Sequence, residues 1–177
     1  MLFRSAMTLG DRICVMYKGL VQQVDTPLEV YNKPVNRFVA GFLGTPPMNL
    51  FDGQLELKNG DMYFVNPVFQ VKCSQSVKQK LSGYSGKNVV LGVRPENITT
   101  TPPQEQTENI IESTVEVIEP LGDRVEVYFS TKNNDRFIAS IDPDIPVKID
   151  DKMSVYISTD KFDLFEPGDT GKNLTLA

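Results

Sequence analysis

Apolar positions along the chain change their period near residue 50. Upstream, the apolar run Arg12–Tyr17, the pair Lys18-Gly19 and the run Leu20–Val24 predict a β-hairpin. Ala6 to Asp11 before it reads as the last turn of a helix. Thr26-Pro27-Leu28-Glu29 predicts a helix start, with Thr as cap, Pro at the first helical position and Glu three residues after the cap. Asn32-Lys33-Pro34 ends that helix. Asn36 is then placed to cap a second short helix with Phe38, Phe42 and Leu43 on one face, stopped by Gly44 and the prolines Pro46 and Pro47. Such a face requires a neighbour to cover it, so Asn36 to Leu50 reads as a joint between two architectures.

Downstream the period is two. Leu55 and Leu57, then Met62 and Phe64, flank Lys58-Asn59-Gly60-Asp61, an Asn-Gly hairpin signal. Further strands are predicted over Phe69–Lys72, Val89–Val93, Ser113–Ile118, Val125–Phe129, Phe137–Ile141 and Met153–Ile157, with a helical turn over Ser76–Leu81. Thr99 to Glu108 is the most loop-like segment, and Leu121-Gly122-Asp123, Lys132 to Asp135 and Asp142-Pro143-Asp144 read as turns. Short strands at this spacing predict a small barrel or sandwich.

Composition narrows the function. The chain has 177 residues and a net charge of -5, with a pI near 4.8, which argues against a nucleic-acid surface. Histidine is absent. That removes the commonest general base and zinc ligand, and Cys14 and Cys73 alone cannot complete a four-ligand site. Cys14, inside the run Ile13–Met16, is expected to be a buried reduced thiol, and two cysteines make no disulfide framework. Asn97-Ile98-Thr99 and Asn173-Leu174-Thr175 match the glycosylation sequon, but Met1 to Ser5 is too short for a signal peptide, so a cytoplasmic location is the expectation. No apolar run approaches a membrane span.

Two Gly-Lys stretches, Gly83 to Asn88 and Gly168 to Asn173, resemble phosphate loops only superficially. The phosphate-wrapping loop has about four residues between its glycines and a Ser or Thr after the Lys. Both stretches here have two between and Asn after, so they are read as turns. Asp142, Asp144, Asp150 and Asp151 lack the ligand spacing of a calcium loop and read as solvated turns. Arg94 and Glu96, on either side of Pro95, read from their residues alone as a surface turn.

Several stretches together resemble one family. Ala6 to Ile13, Pro27 to Tyr31, Arg37 to Gly44 and Met48-Asn49 are similar to the end of the ATPase domain in the ATP-binding subunits of carbohydrate-importing ABC transporters, of the maltose and glycerol-3-phosphate importer type. Leu91 to Glu96 and Val117 to Gly122 resemble two signatures of that family's C-terminal regulatory domain, and Leu164-Phe165 matches near its end. The fold this implies is mainly β: an OB-like regulatory β-barrel over residues 51–177, preceded over residues 1–50 by an α/β remnant of an ABC ATPase domain.

The resemblance implies that the intact parent binds ATP and Mg and hydrolyses ATP to drive import, working with transmembrane permease subunits and a second ATPase subunit at the inner face of the cell membrane. The phosphate loop, signature, catalytic Glu and switch His of the family fall before Ala6, so no catalytic, cofactor-binding or metal residue is carried over and the chain itself is expected not to be an enzyme. Its expected role is regulatory and dimer contact, with Arg94, Pro95, Glu96, Leu121, Gly122 and Asp123 as candidates and a weak homodimer through the β domain as the outcome. Ser5 stands where the family has Glu, and Met1 to Ser5 matches the translation of a common sequencing adaptor, so a non-native start is expected. Two other classes fit an OB-type barrel: a free-standing sensor of a small oxyanion and a nucleic-acid-binding module. The acidic pI counts against the second, and the ATPase-like stretch Ala6 to Asn49 against the first.

Overall fold

The computed structural model of the protein describes residues 10–102, 108–158 and 160–176. Residues Ala6 to Leu9 of the helical turn expected over Ala6 to Asp11, the pentapeptide Met1 to Ser5 and the centre of the Thr99 to Glu108 segment lie outside them.

The chain opens with an antiparallel hairpin, β1 (Ile13–Tyr17) and β2 (Leu20–Asp25). Lys18 and Gly19 both take positive φ, 48° and 79°, as a two-residue turn of that hand requires. Helix α1 (Pro27–Asn32) starts where the capping pattern places it, with Thr26 Oγ1 accepting from Glu29 N at 3.4 Å. Helix α2 (Arg37–Phe42) is capped by Asn36, whose Oδ1 accepts from Val39 N at 2.9 Å.

The buried face of α2 keeps Leu43 and, in part, Phe38 from the face the spacing predicts, but not Phe42. Val39, Ala40 and Leu43 are fully buried, whereas Phe42 is 57% exposed. Val39 and Leu43 pack with Val15 and Val30, and Ala40 packs with Met48, Val90 and Phe165. The helix is thus wedged between the hairpin and the back of a β-sheet, and its small residues face the tighter side. Cys14 is also corrected: it is exposed. Strand alternation sends Val15 inward and Cys14 and Met16 outward, opposite Val24 and Val21.

The remaining strands form two five-stranded antiparallel sheets that together make a nearly closed barrel. The first contains β3 (Asn49–Lys58), β4 (Asp61–Val65), β5 (Gln70–Lys72), β6 (Asn88–Val93) and β12 (Asp163–Phe165), in the order β12-β6-β3-β4-β5. The second contains β7 (Ile98–Thr99), β8 (Ile110–Pro120), β9 (Val125–Ser130), β10 (Arg136–Ile141) and β11 (Lys152–Ile157), in the order β10-β9-β8-β11-β7. Helix α3 (Gln75–Lys80), capped by Ser74, joins β5 to β6. Asn59 and Gly60, with φ of 51° and 84°, make the predicted Asn-Gly turn.

One core fills the space between the sheets. Leu55, Phe64 and Leu91 meet Ile111, Val127, Phe129 and Val155 there, and Phe51 spans the sheets with its ring centroid 5.9 Å from that of Phe137. Thr99, expected in a loop, instead ends β7 and pairs with Tyr156, and Leu164-Phe165, for which no element is predicted, forms β12 on Leu91 and Val90. The acidic turns have local roles, Asp142 Oδ1 accepting from Asp144 N and Asp151 Oδ2 from Lys148 N, both at 2.8 Å.

Candidate functional site

Strand β6 is buried on nearly every residue and delivers Arg94 into the joint between the barrel and the helix pair. Arg94 is only 5% exposed. Its Nη1 donates to Leu43 O at 2.5 Å and to Ala40 O at 3.4 Å, and its Nη2 donates to Tyr31 O at 2.6 Å. These carbonyls lie at the C-terminal ends of α2 and α1, where the last turn has no intrahelical donors and the helix dipole favours a cation. One guanidinium therefore caps two helices.

The surroundings are built to admit it. The guanidinium carbon sits 3.8 Å from the Tyr31 ring centroid, a stacked cation–π contact. Gly44 adopts φ 121°, and a Cβ there would lie 3.2 Å from Arg94 Nη1 and 2.7 Å from Pro46 O. Tyr31 OH donates to Glu96 Oε1 at 2.7 Å. Burial holds Arg94 below its usual range, and burial and the bond to Glu96 push the Tyr31 phenol up to about 12. Both groups keep their ordinary charge state at neutral pH.

A second attachment runs beside the first. After β12 the chain returns along the helix pair: Asn173 Nδ2 donates to Pro34 O at 2.9 Å, Arg37 N to Gly171 O at 2.9 Å, and Tyr17 OH to Asp169 Oδ2 at 2.8 Å. Asn173 Nδ2 also donates to Asp163 Oδ1, which accepts from Thr175 Oγ1 as well, both at 3.0 Å. Burial pushes the Asp163 carboxyl above its usual 3.8 despite these bonds. Between the attachments lies a polar cavity of about 270 Å³, lined by Tyr31, Gly92, Arg94, Glu96, Lys161 and Asp163 among others.

Arg94 and Pro95 are buried, which corrects their placement as a surface turn and removes them from any surface a partner could touch. The reason is that β6 runs under α2, so the residues that leave it enter the joint. Glu96 is exposed but bonded to Tyr31. Leu121, Gly122 and Asp123 form an exposed turn between β8 and β9, with Leu121 47% exposed and Gly122 at φ 97°. Arg124 pairs there with Asp123 at 3.4 Å and with the buried Glu126 at 3.1 Å. Sequence reasoning missed Tyr31, Gly44 and Asn173. An arginine ending a strand of unbroken apolar character was the available signal for a buried cation.

The comparisons with known proteins agree with this architecture. Residues 44–98 match the model of the MalK OB fold domain and residues 91–165 that of the TOBE domain. The chain carries these two domains, and over that region its homologues are ATP-binding subunits of sugar-importing ABC transporters. Among its relatives, the xylose/arabinose import ATP-binding protein XacK of Haloferax volcanii is 38% identical over 97% of this chain and 44% of its own length. The trehalose/maltose import ATP-binding protein MalK of Thermococcus litoralis is 36% identical over 94% of this chain and 45% of its own. The sn-glycerol-3-phosphate import ATP-binding protein UgpC of Salmonella typhimurium is 40% identical over 66% of this chain and 31% of its own. The chain thus spans less than half the length of these relatives. A solved structure of the cytoplasmic molybdate-binding protein ModG shares the fold, with a TM-score of 0.55 and 18% identity over 67% of this chain and 96% of that one.

Proposed function

We propose that the chain is the regulatory, dimer-contacting end of the ATP-binding subunit of an importer for sugars or related solutes. In that reading the intact parent, with ATP and Mg, a second copy and permease partners at the inner membrane face, hydrolyses ATP, and this part supplies contact and control. The observation that carries the proposal is the Arg94 clamp. It fixes the barrel to the helix pair that resembles the end of an ATPase domain, so a contact made on the barrel is mechanically joined to those helices. The exposed Leu121 turn of the barrel is the surface proposed to meet a second copy.

Sedimentation velocity over a concentration series tests this. A weak dimer unaffected by ATP and weakened at least tenfold by Leu121→Asp is expected. The outward hairpin face, with Met16 54% and Val21 57% exposed, offers a rival apolar surface. An ATP-dependent dimer, a chain monomeric at several hundred micromolar, or association abolished by Met16→Asp and untouched by Leu121→Asp would each overturn the proposal.

A further inference from the structure

The barrel is incompletely closed, and the gap has a specific chemistry. β10 and β7 are the two edges of the second sheet. On the free edge of β10, the Asn49 side chain takes the place of a strand: its Nδ2 donates to Ile138 O and its Oδ1 accepts from Ile138 N, both at 2.8 Å. The pairs Ile138↔Tyr128 and Ser140↔Glu126 are two residues apart in an antiparallel ladder, so Ser140 aims its N–H and C=O the same way as Ile138. Neither group of Ser140 has a partner among the described residues on that edge.

Beside this edge opens a groove of about 470 Å³, a size typical of small-molecule sites. Its floor is apolar, with Ile98 and Ile141 buried and Ile145 packed against the core. Its walls carry the hydroxyls of Thr99, Thr100 and Ser158. Among the described residues that line it, the charged groups are Glu96, Asp142 and Lys161, two acids against one base. This balance disfavours an anion, including the oxyanion class bound by the ModG-like neighbour, with which only the fold is shared.

We infer that the groove between β10 and β7 binds a neutral, polyhydroxylated small molecule of pyranose type. Such a ring has one apolar C–H face, which suits the isoleucine floor, and an edge of hydroxyls that both donate and accept, which suits the Ser140 backbone pair and the threonine and serine hydroxyls. The inference stands apart from the dimer proposal and does not require it.

The test is amide NMR titration of the chain with D-xylose, maltose and trehalose, and with molybdate and sulfate as the anionic arm. Saturable shifts are expected for at least one sugar at Ser140, Thr99 and Ile98, with a dissociation constant of roughly 1 mM or below, a modest affinity. Ser140→Pro removes the edge N–H without breaking the β9 ladder, as edge positions allow, and should weaken binding at least tenfold. Ile145→Trp fills the floor and should abolish it. The inference is overturned if none of the three sugars saturates by 20-fold above that ~1 mM range, if both variants bind like the parent, or if the anions bind there instead. Sedimentation on the same samples reads the dimer proposal separately.

Discussion

Replacing Arg94 by Ala should release the helix pair from the barrel while leaving the barrel folded. Two short charge-assisted bonds, to Leu43 O and Tyr31 O, would be lost, and hydrogen bonds to charged groups contribute about 1.5–3 kcal/mol each. The 3.4 Å contact to Ala40 O adds little. Stacking on Tyr31 adds about 0.5–2 kcal/mol. Against these, the variant no longer holds a guanidinium out of water, which offsets several kcal/mol of the gross sum. The polar cavity beside the clamp also lets water reach the freed carbonyls. The net loss is about 3 kcal/mol, between the gross sum and the desolvation it offsets.

Hydrogen exchange separates a local from a global effect. The amides of Val30, Lys33, Ala40 and Leu43 close the turns of α1 and α2, and a local loss of about 3 kcal/mol should speed their exchange by roughly 100-fold. Amides of β6 and β9 should change little. Arg94→Lys keeps the charge but not the fork that reaches two helices, so it should fall between. Exchange in α1 and α2 within threefold of the parent would refute the clamp, as would equal acceleration in the barrel. The wild type should already show faster exchange in Ile13–Val24 than in Val89–Val93, because the hairpin contributes Val15 alone to the fully buried core.

Other outcomes follow from buried groups. Asn49→Ala strips the cover from Ile138 and one bond from Val93 O, and should destabilise the barrel by about 2–4 kcal/mol in urea titrations; a change below about 0.5 kcal/mol, the usual range of surface substitutions, would show that water substitutes freely. Asp163 has its carboxyl raised in the folded state, so it favours folding most below the unfolded value near 3.8 and loses that contribution as pH rises through the folded value. Asp163→Asn keeps an acceptor for Asn173 and Thr175, so its stability relative to the parent should be greatest at neutral pH and shrink toward pH 3; the opposite trend would refute the buried-charge account. Cys14 is exposed, while burial pushes the Cys73 thiol up to about 12, so Ellman's reagent should modify one thiol quickly in the native protein and the second only on unfolding. Calorimetry with ATP should show no saturable micromolar binding, and such binding would overturn the reading that the chain lacks the groups that hold phosphate.

Most elements were legible because each rests on a local rule. Thr26 and Asn36 are caps, Lys18-Gly19 and Asn59-Gly60 are turns that need positive φ, and the strands after Asn49 alternate. What escaped depends on partners distant in sequence. The spacing of Phe38 and Phe42 defines a helix face but not which flank meets β6, and that flank turned out to need the small Ala40 beside Met48 and Phe165. Gly92 is part of the same fit, since a Cβ there would collide with Met48 and the Phe165 ring. Cys14 shares an apolar run with Val15, yet a strand buries alternate residues, and only the side facing α1 and α2 is covered. Arg94 looked like a surface residue because Pro95 follows it, and nothing within ten positions reveals that its acceptors are 51 to 63 residues upstream.

The clamp and the returning tail hold the same helix pair by different means, and this bears on how a signal could cross the joint. Arg94 grips the C-terminal ends of α1 and α2, while Gly171 and Asn173 grip the segment between them at Val35 and Arg37 and the Pro34 carbonyl. Two attachments at different points fix an orientation, whereas one would leave a pivot. Loss of the clamp alone should therefore let the helix pair rock about the tail without detaching. Asn173→Ala alone should loosen the start of α2 and leave its C-terminal amides protected. If the double variant destabilised the helix pair by the sum of the two singles, the attachments would be independent; a shortfall of at least about 1 kcal/mol in a double-mutant cycle is the expectation, because each attachment holds in register the backbone that the other binds, so each single variant already weakens both.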